Sequence, residues 1–346
     1  MIQRLLNFVE LSKVILKNQL SIKDGSEIIK EFENNFKKYI GTDFALATNN
    51  GTSALHSAYF ALGLKRGDEV ILPSYTWHAT AMPLVALGIK PVFAEINPKT
   101  LTIDLNDVNK KINKKTKAIV AVHLFGNVCD MDGLLKLKKK YGVYIVEDAS
   151  HSFGATYNGK KIGSIGDIGC FSLHQSKAVS GGEAGIFVTN NMYFYERALV
   201  FGHHGRLEEE ITNSVLKKYS YTGLGFKYRP NPFSIALANR SLRSLDKRND
   251  KNNLMINKIN KLLEKIDDIS IPLSNKCSKF GSFYGYRIIY NGDLPKKIEI
   301  IKFLNDRGIN AREENYLLLH TQPIFKSKLK LPITEEIYKK IIRIEL

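Results

Sequence analysis

A chain of 346 residues is long enough for one large or two medium domains and a sizeable core. Hydrophobic residues make up 44% and charged residues 25%, the mix of a soluble globular protein, and no apolar run nears the roughly 18 residues of a membrane span. The net charge of +17 is spread along the chain with modest clusters at 138–140 and 326–330. No RNP, zinc-finger or helix-turn-helix pattern accompanies it. That leaves a solvated basic surface or the attraction of an anionic small substrate, and predicts no nucleic-acid partner and no membrane. Cys129, Cys170 and Cys277 lack C-x-x-C spacing, which argues against a disulfide framework or zinc site. The start of the chain does not read as a signal peptide, and the expected location is cytoplasmic.

In chain order, MIQRLLNFVELSKVILKNQL reads as an amphipathic helix. Seven β-type runs follow: FALAT (44–48), EVILP (69–73), PVFAEI (91–96), AIVAVHLF (118–125), YIVED (144–148), GCFSL (169–173) and GIFVTN (185–190). From the fourth onward they are almost continuously apolar, as strands covered on both faces are. Helices are predicted between them over 52–64, 79–87 and 131–141. The alternation implies an α/β protein with a mainly parallel seven-stranded sheet between helices. Beyond Arg229, PNPFSIALANRSLRSLDKRNDKNNLMINKINKLLEKI reads as one long helix or a helix pair. A strand at YGYRIIY (284–290) and a helix near 296–307 come next. The expected division is a large domain over 1–235, its N-terminal helix free to pack on the small domain, and a smaller α+β domain over 236–346.

In such sheets ligands sit at the carboxyl ends of the strands, which directs attention to four loops. YIVED ends in Glu147-Asp148; a carboxylate there either caps the next helix or serves a ligand. FSLHQSK places Lys177 between two buried strands, either as an exposed loop lysine or close to a phosphate-bearing ligand. NNGTS carries Gly51-Thr52-Ser53 into a helix, whose N-terminus suits an anion. Trp77, the only tryptophan, follows EVILP and is either core or a ligand-facing ring. Together the four fit pyridoxal phosphate (PLP), which requires a lysine, a carboxylate at its pyridinium nitrogen, an anion cradle and a flat neighbour.

NNGTSALHSAYFALGLKRGDEVILPSYTWHATA, AVHLFGNVCDMDGL and EDASHSFGATYNGKKIGSIGDIGCFSLHQSKAVSGGEAGIFVTNN resemble the DegT/DnrJ/StrS sugar aminotransferases of PLP fold type I. The resemblance covers nearly the whole chain, and its last block is the most specific. It implies that Lys177 holds the cofactor covalently and later shuttles a proton, and that Asp148 pairs with the pyridinium nitrogen. His151 would contact the phenolic oxygen region and Trp77 would stack on the ring. Thr52, Ser53 and Ser172 would bind the phosphate. It further implies a homodimer with shared active sites. Lys227, where relatives carry Asn, would reach the partner's cofactor phosphate. Arg229, Arg312 and Tyr316 are suggested as substrate-lining residues.

GEAG stands where GEGG is commoner, so Ala184 would be strained if its φ were positive. KKIIRIEL stops before the segment with which most relatives finish, which implies a truncated chain or a short subgroup. His203-His204 reads as loop, and no metal is expected. The implied activity is amino transfer from glutamate or glutamine to a nucleotide-linked keto sugar. The alternatives are amination of a cyclitol or other non-nucleotide ketone, and a non-catalytic regulatory relative. Sugar dehydration, in which relatives replace the lysine by histidine, is disfavoured by Lys177.

Overall fold

The computed structural model describes residues 2–17, 20, 27–273 and 277–345. Its central sheet uses β1 (Phe44–Thr48), β2 (Glu69–Pro73), β3 (Lys90–Ala94), β4 (Thr116–Val122) and β5 (Tyr144–Asp148). After a small hairpin, β6 (Thr156–Tyr157) and β7 (Lys160–Lys161), come β8 (Ile168–Ser172) and β9 (Gly185–Thr189). The order is β1-β9-β8-β5-β4-β2-β3. Strands β8, β5, β4, β2 and β3 pair in parallel, while β9 runs antiparallel to both β8 and β1. All seven expected strands are present. The fourth ends early because Leu124–Gly126 forms a tight turn with Phe125 at φ 59°.

The period of two in the strands fills two cores. Ile71, Ile119, Ile145 and Val188 face one side, and Leu46, Leu72, Val120 and Phe187 the other. Helix α1 (Ile2–Leu16) precedes α2 (Glu27–Ile40), whose Phe32 and Phe36 cover the first face. Tyr59 of α3 (Gly51–Ala61) packs on the second. Glu33 is buried on α2, and its charge is tolerated because both oxygens accept hydrogen bonds and a guanidinium faces them. Its Oε1 accepts from the Ala47 N–H at 2.8 Å and from Arg206 at 2.8 Å, and its Oε2 accepts from Arg206 at 3.0 Å.

The stretch after Arg229 forms a helix pair, Pro232–Arg243 and Leu245–Leu263, separated at Ser244, where φ −108° and ψ 8° leave the helical range. Then come β10 (Ile269–Ser270), β11 (Ser278–Lys279), β12 (Tyr286–Tyr290), the helix Leu294–Asn305, β13 (Ala311–Glu313), the helix Pro332–Lys340 and β14 (Ile341–Ile344). Four of these strands make an antiparallel sheet in the order β10-β12-β14-β13. Ile256, Tyr286, Ile288 and Ile342 form a third core there.

Several contacts cross the expected division at 235/236. Strand β11 pairs with β6, and Asn249 donates to the Phe153 carbonyl at 2.9 Å. Helix α1 packs on Pro232–Arg243, with Arg243 3.4 Å from Glu10. The strain considered for Ala184 does not arise: the positive φ of that turn falls on Gly182, at 87°.

Candidate active site

The loops at the carboxyl ends of β1, β2, β4, β5 and β8 enclose a cavity of about 630 Å³, closed on its far side by Tyr284, Asn315, Tyr316 and Arg343. At the tip of β5 successive side chains point to opposite faces, so Glu147 and Asp148 part company. Glu147 turns into the protein and accepts from the N–H groups of Gly163, Ile165 and Gly166 at 2.8, 2.7 and 2.6 Å. Asp148 turns to the cavity, where Thr80 Oγ1 donates to its Oδ2 at 2.8 Å. The helix-capping reading of this pair therefore falls away.

Lys177 lines the same cavity, with its Nζ 3.6 Å from the centre of the Tyr284 ring. Burial lowers the pKa of its amine from the ordinary 10.5, and Tyr284 and Asp148 only partly pull it back. Tyr284 is itself shifted. Burial alone would raise its phenol, but hydrogen bonding to Ser176, the charge of Lys177 and a hydrogen bond to Tyr316 lower it overall. Its hydroxyl lies 3.1 Å from Ser176 Oγ, which lies 2.8 Å from His174 Nδ1.

Beneath Tyr284 runs a column of flat groups. His151 stacks on Tyr284 at 4.0 Å and on Phe125 at 5.8 Å, with interplanar angles of 17° and 15°. The Arg287 guanidinium lies over the Phe125 ring, 3.6 Å from its centre. Burial first, then the charges of Lys177 and Arg287, push the pKa of His151 far below its usual value. The ring is therefore neutral. Its Nδ1 accepts from the Phe125 N–H at 3.2 Å, which leaves Nε2 as the protonated donor. Phe125 is a non-glycine residue at positive φ, an arrangement that concentrates at functional sites. Its backbone supplies a donor to His151 and an acceptor for the Tyr284 N–H, at 3.2 Å each.

The opposite wall is the start of α3. The Asn50 side chain caps it by accepting from Ser53 N–H at 2.8 Å. A Cβ on Gly51 would lie 2.7 Å from Ser172 Cβ, and one on Gly185 would lie 2.3 Å from the Asn50 carbonyl oxygen. Glycine at both positions lets the helix start abut the end of β8, and Thr52 and Ser172 sit together in the wall. The half-exposed Trp77 lies on the wall with its ring 5.2 Å from Tyr316. These residues fit pyridoxal phosphate: a shielded amine and a carboxylate face one cavity, and a helix N-terminus with two small hydroxyls offers an anion cradle.

Of the residues singled out from sequence, the cavity wall brings together Lys177, Asp148, Thr52, Trp77, His151, Ser172 and Tyr316. It does not include Ser53, Lys227, Arg229 or Arg312. The Ser53 N–H is taken by the cap, Lys227 and Arg312 are exposed, and Arg229 is partly buried beside Tyr228. The wall also contains residues that sequence reasoning missed: Thr80, His123, Ser150, His174, Tyr284, Asn315 and Arg343 among them. His203, considered as a metal ligand, donates Nε2–H to the Ala47 carbonyl at 2.9 Å.

The DegT/DnrJ/EryC1/StrS aminotransferase family model matches residues 7–346. GDP-perosamine synthase of Vibrio cholerae is 31% identical over 315 residues, covering 88% of this chain and 81% of the relative. An aminotransferase from Psychrobacter cryohalolentis superposes with a TM-score of 0.87 at 27% identity, over 99% of this chain and 91% of that one. DesV of S. venezuelae gives 0.87 at 26% identity, over 99% and 89%. A seven-stranded α/β fold, a cavity that fits the cofactor and a family match along nearly the whole chain agree: the chain belongs to the DegT/DnrJ/EryC1/StrS family and is a pyridoxal-phosphate-dependent aminotransferase.

Proposed function

We propose that the enzyme transfers an amino group from glutamate or glutamine to the keto group of a nucleotide-linked sugar. The observation that carries the chemistry is the buried Lys177 amine, its pKa lowered, in one cavity with Asp148. The sugar and nucleotide are supported by similarity to a GDP-perosamine synthase and by the basic chain, which favours an anionic substrate.

When bound, pyridoxal phosphate supplies an electron-accepting ring that stores the amino group between donor and acceptor. Around it the protein's own groups divide the work. Asp148, steadied by Thr80, holds a proton on the ring nitrogen. Lys177 would hold the cofactor, and its amine would serve as the general base and acid for the proton moved during transfer. Neutral His151 offers Nε2–H at a fixed angle because its ring is clamped in the column. Thr52 and Ser172 take the phosphate, and Trp77 shields one face of the ring from water. Asp148 and Lys177 are the catalytic residues on this reading.

The reading includes a cytoplasmic homodimer with shared sites. Around Tyr228 lie five buried polar atoms without a hydrogen-bond partner among the described residues: Asn49 Oδ1, His56 Nε2, His203 Nδ1, His204 Nδ1 and Arg229 Nε. Exposed Tyr221, Leu224 and Phe226 flank them. A second copy seated on Tyr221, Leu224 and Phe226 would cover these exposed apolar groups and bring Lys227 to its partner's cavity.

The test has two arms. Holoenzyme is mixed with glutamate, and then with either a nucleotide-linked keto sugar or a free cyclitol ketone. Amino transfer to the first alone supports the proposal. Transfer to the second alone replaces its substrate, and loss of the amino group to neither leaves it without support.

A further inference from the structure

Three arginines stand in line across the small sheet. In register, Arg287 of β12 lies opposite Arg343 of β14, and Arg343 opposite Arg312 of β13. Cross-strand partners share a face, and like charges directly opposite repel, so each guanidinium needs something to balance it. Arg287 is balanced within the protein. Its Nε donates to Glu314 at 3.0 Å, both side chains are buried, and another of its N–H groups meets the Tyr284 carbonyl at 3.0 Å. Burial would raise the Glu314 carboxyl, but Arg287 and the Tyr75 hydroxyl outweigh it and hold the group below the usual carboxylate range. Arg312 is exposed and donates to Asn310 at 3.0 Å.

Arg343 differs from both because it stands in the cavity wall beside Asn315 and Tyr316. One terminal nitrogen donates to Asn315 Oδ1 at 3.0 Å and the other to Glu345 Oε1 at 2.8 Å. Its Nε is buried with no hydrogen-bond partner among the described residues. Glu345 is 48% exposed at its side chain and shared with Asn310, so water screens its attraction for Arg343. The cavity therefore holds a weakly compensated guanidinium, fixed in direction by Asn315. A guanidinium presents paired N–H groups that match two oxygens of one carboxylate or phosphate.

We propose that Arg343, oriented by Asn315, binds an oxyanion of the reactants within the cavity. Its elements, β14 and the turn after β13, are distinct from those around Thr52 and Ser172, so this is a second anion position. The anion is the carboxylate of the amino donor or the diphosphate of the sugar nucleotide, an identity that rests on the function proposed above. The presence of the anion site does not.

Calorimetric titration of the holoenzyme with glutarate and with pyrophosphate separates the sources, since bound cofactor keeps both probes out of its own phosphate cradle. Arg343→Gln should weaken binding of one probe at least 10-fold, and Arg343→Lys, which retains charge without the planar fork, should weaken it less. A loss for glutarate assigns the donor carboxylate, and a loss for pyrophosphate assigns the diphosphate. In turnover the same variants should raise KM for the matching substrate with kcat little changed. Unchanged affinity for both probes in a folded, cofactor-loaded Arg343→Gln or Arg343→Lys protein overturns the proposal, as does failure of the wild type to bind either. Arg343-dependent binding in an enzyme that aminates no nucleotide-linked ketone would retain this site and remove the proposed substrate.

Discussion

Lys177 is a base only after it has lost its proton, and burial is what loosens that proton. The lowered pKa places the acid limb of the kcat profile, which reports the complex in which this amine is free, below 10.5, with activity rising as pH rises through it. Tyr284 raises the pKa of Lys177, so Tyr284→Phe should move that limb to lower pH, as a pH–rate profile will show. Lys177→Ala should lose the visible absorbance of the lysine-bound cofactor and the transfer reaction with it. His203 provides a stability test. Burial, then Arg206, lowers its pKa from 6.5 to about 3. The unfolded chain therefore takes up this proton first as pH falls, and stability is present above 6.5 and lost towards about 3. His203→Gln, whose amide can still donate to the Ala47 carbonyl, should flatten that acid limb in thermal melts from pH 7 to 4. At this scale the sequence was most legible where apolar runs end. Asp148, Lys177, Thr52 and Trp77 follow strands that announce themselves by pattern. Tyr284 and Arg343 were not legible, because their place in the wall depends on how a distant sheet docks.

Strands β4, β5, β8 and β9 were the most readable because both their faces are apolar, and the helix Met131–Tyr141 because an aspartate cap and Gly142 bracket it. Strands β13 and β14 were missed: they are three and four residues long, too short for a period to show. The start of α3 was recognised as an anion cradle, but its geometry comes from a close approach that no pattern reveals. Gly51→Ala would put a methyl 2.7 Å from Ser172 Cβ, part α3 from β8 and weaken cofactor retention, measurable by dialysis and absorbance. Asn50→Ala removes the cap and should cost about 1 kcal/mol in denaturant unfolding.

Across the whole molecule, the ion pair of Glu33 with Arg206 joins α2 to the segment after β9, inside the protein. Breaking it by Glu33→Ala leaves Arg206 buried without its main partner and should destabilise the fold by about 3–5 kcal/mol in urea titration. The charge of +17 acts over longer distances, where salt screens it. KM for a nucleotide-linked substrate should rise between low and physiological ionic strength, while kcat holds. The strand order of the small sheet has a further effect during synthesis. Strand β14 lies between β12 and β13, yet leaves the ribosome after both. Until it arrives, two short strands have exposed edges and no way to join, and such edges invite pairing with other chains. A chain whose β14 has yet to dock thus holds a finished seven-stranded sheet beside an open flank.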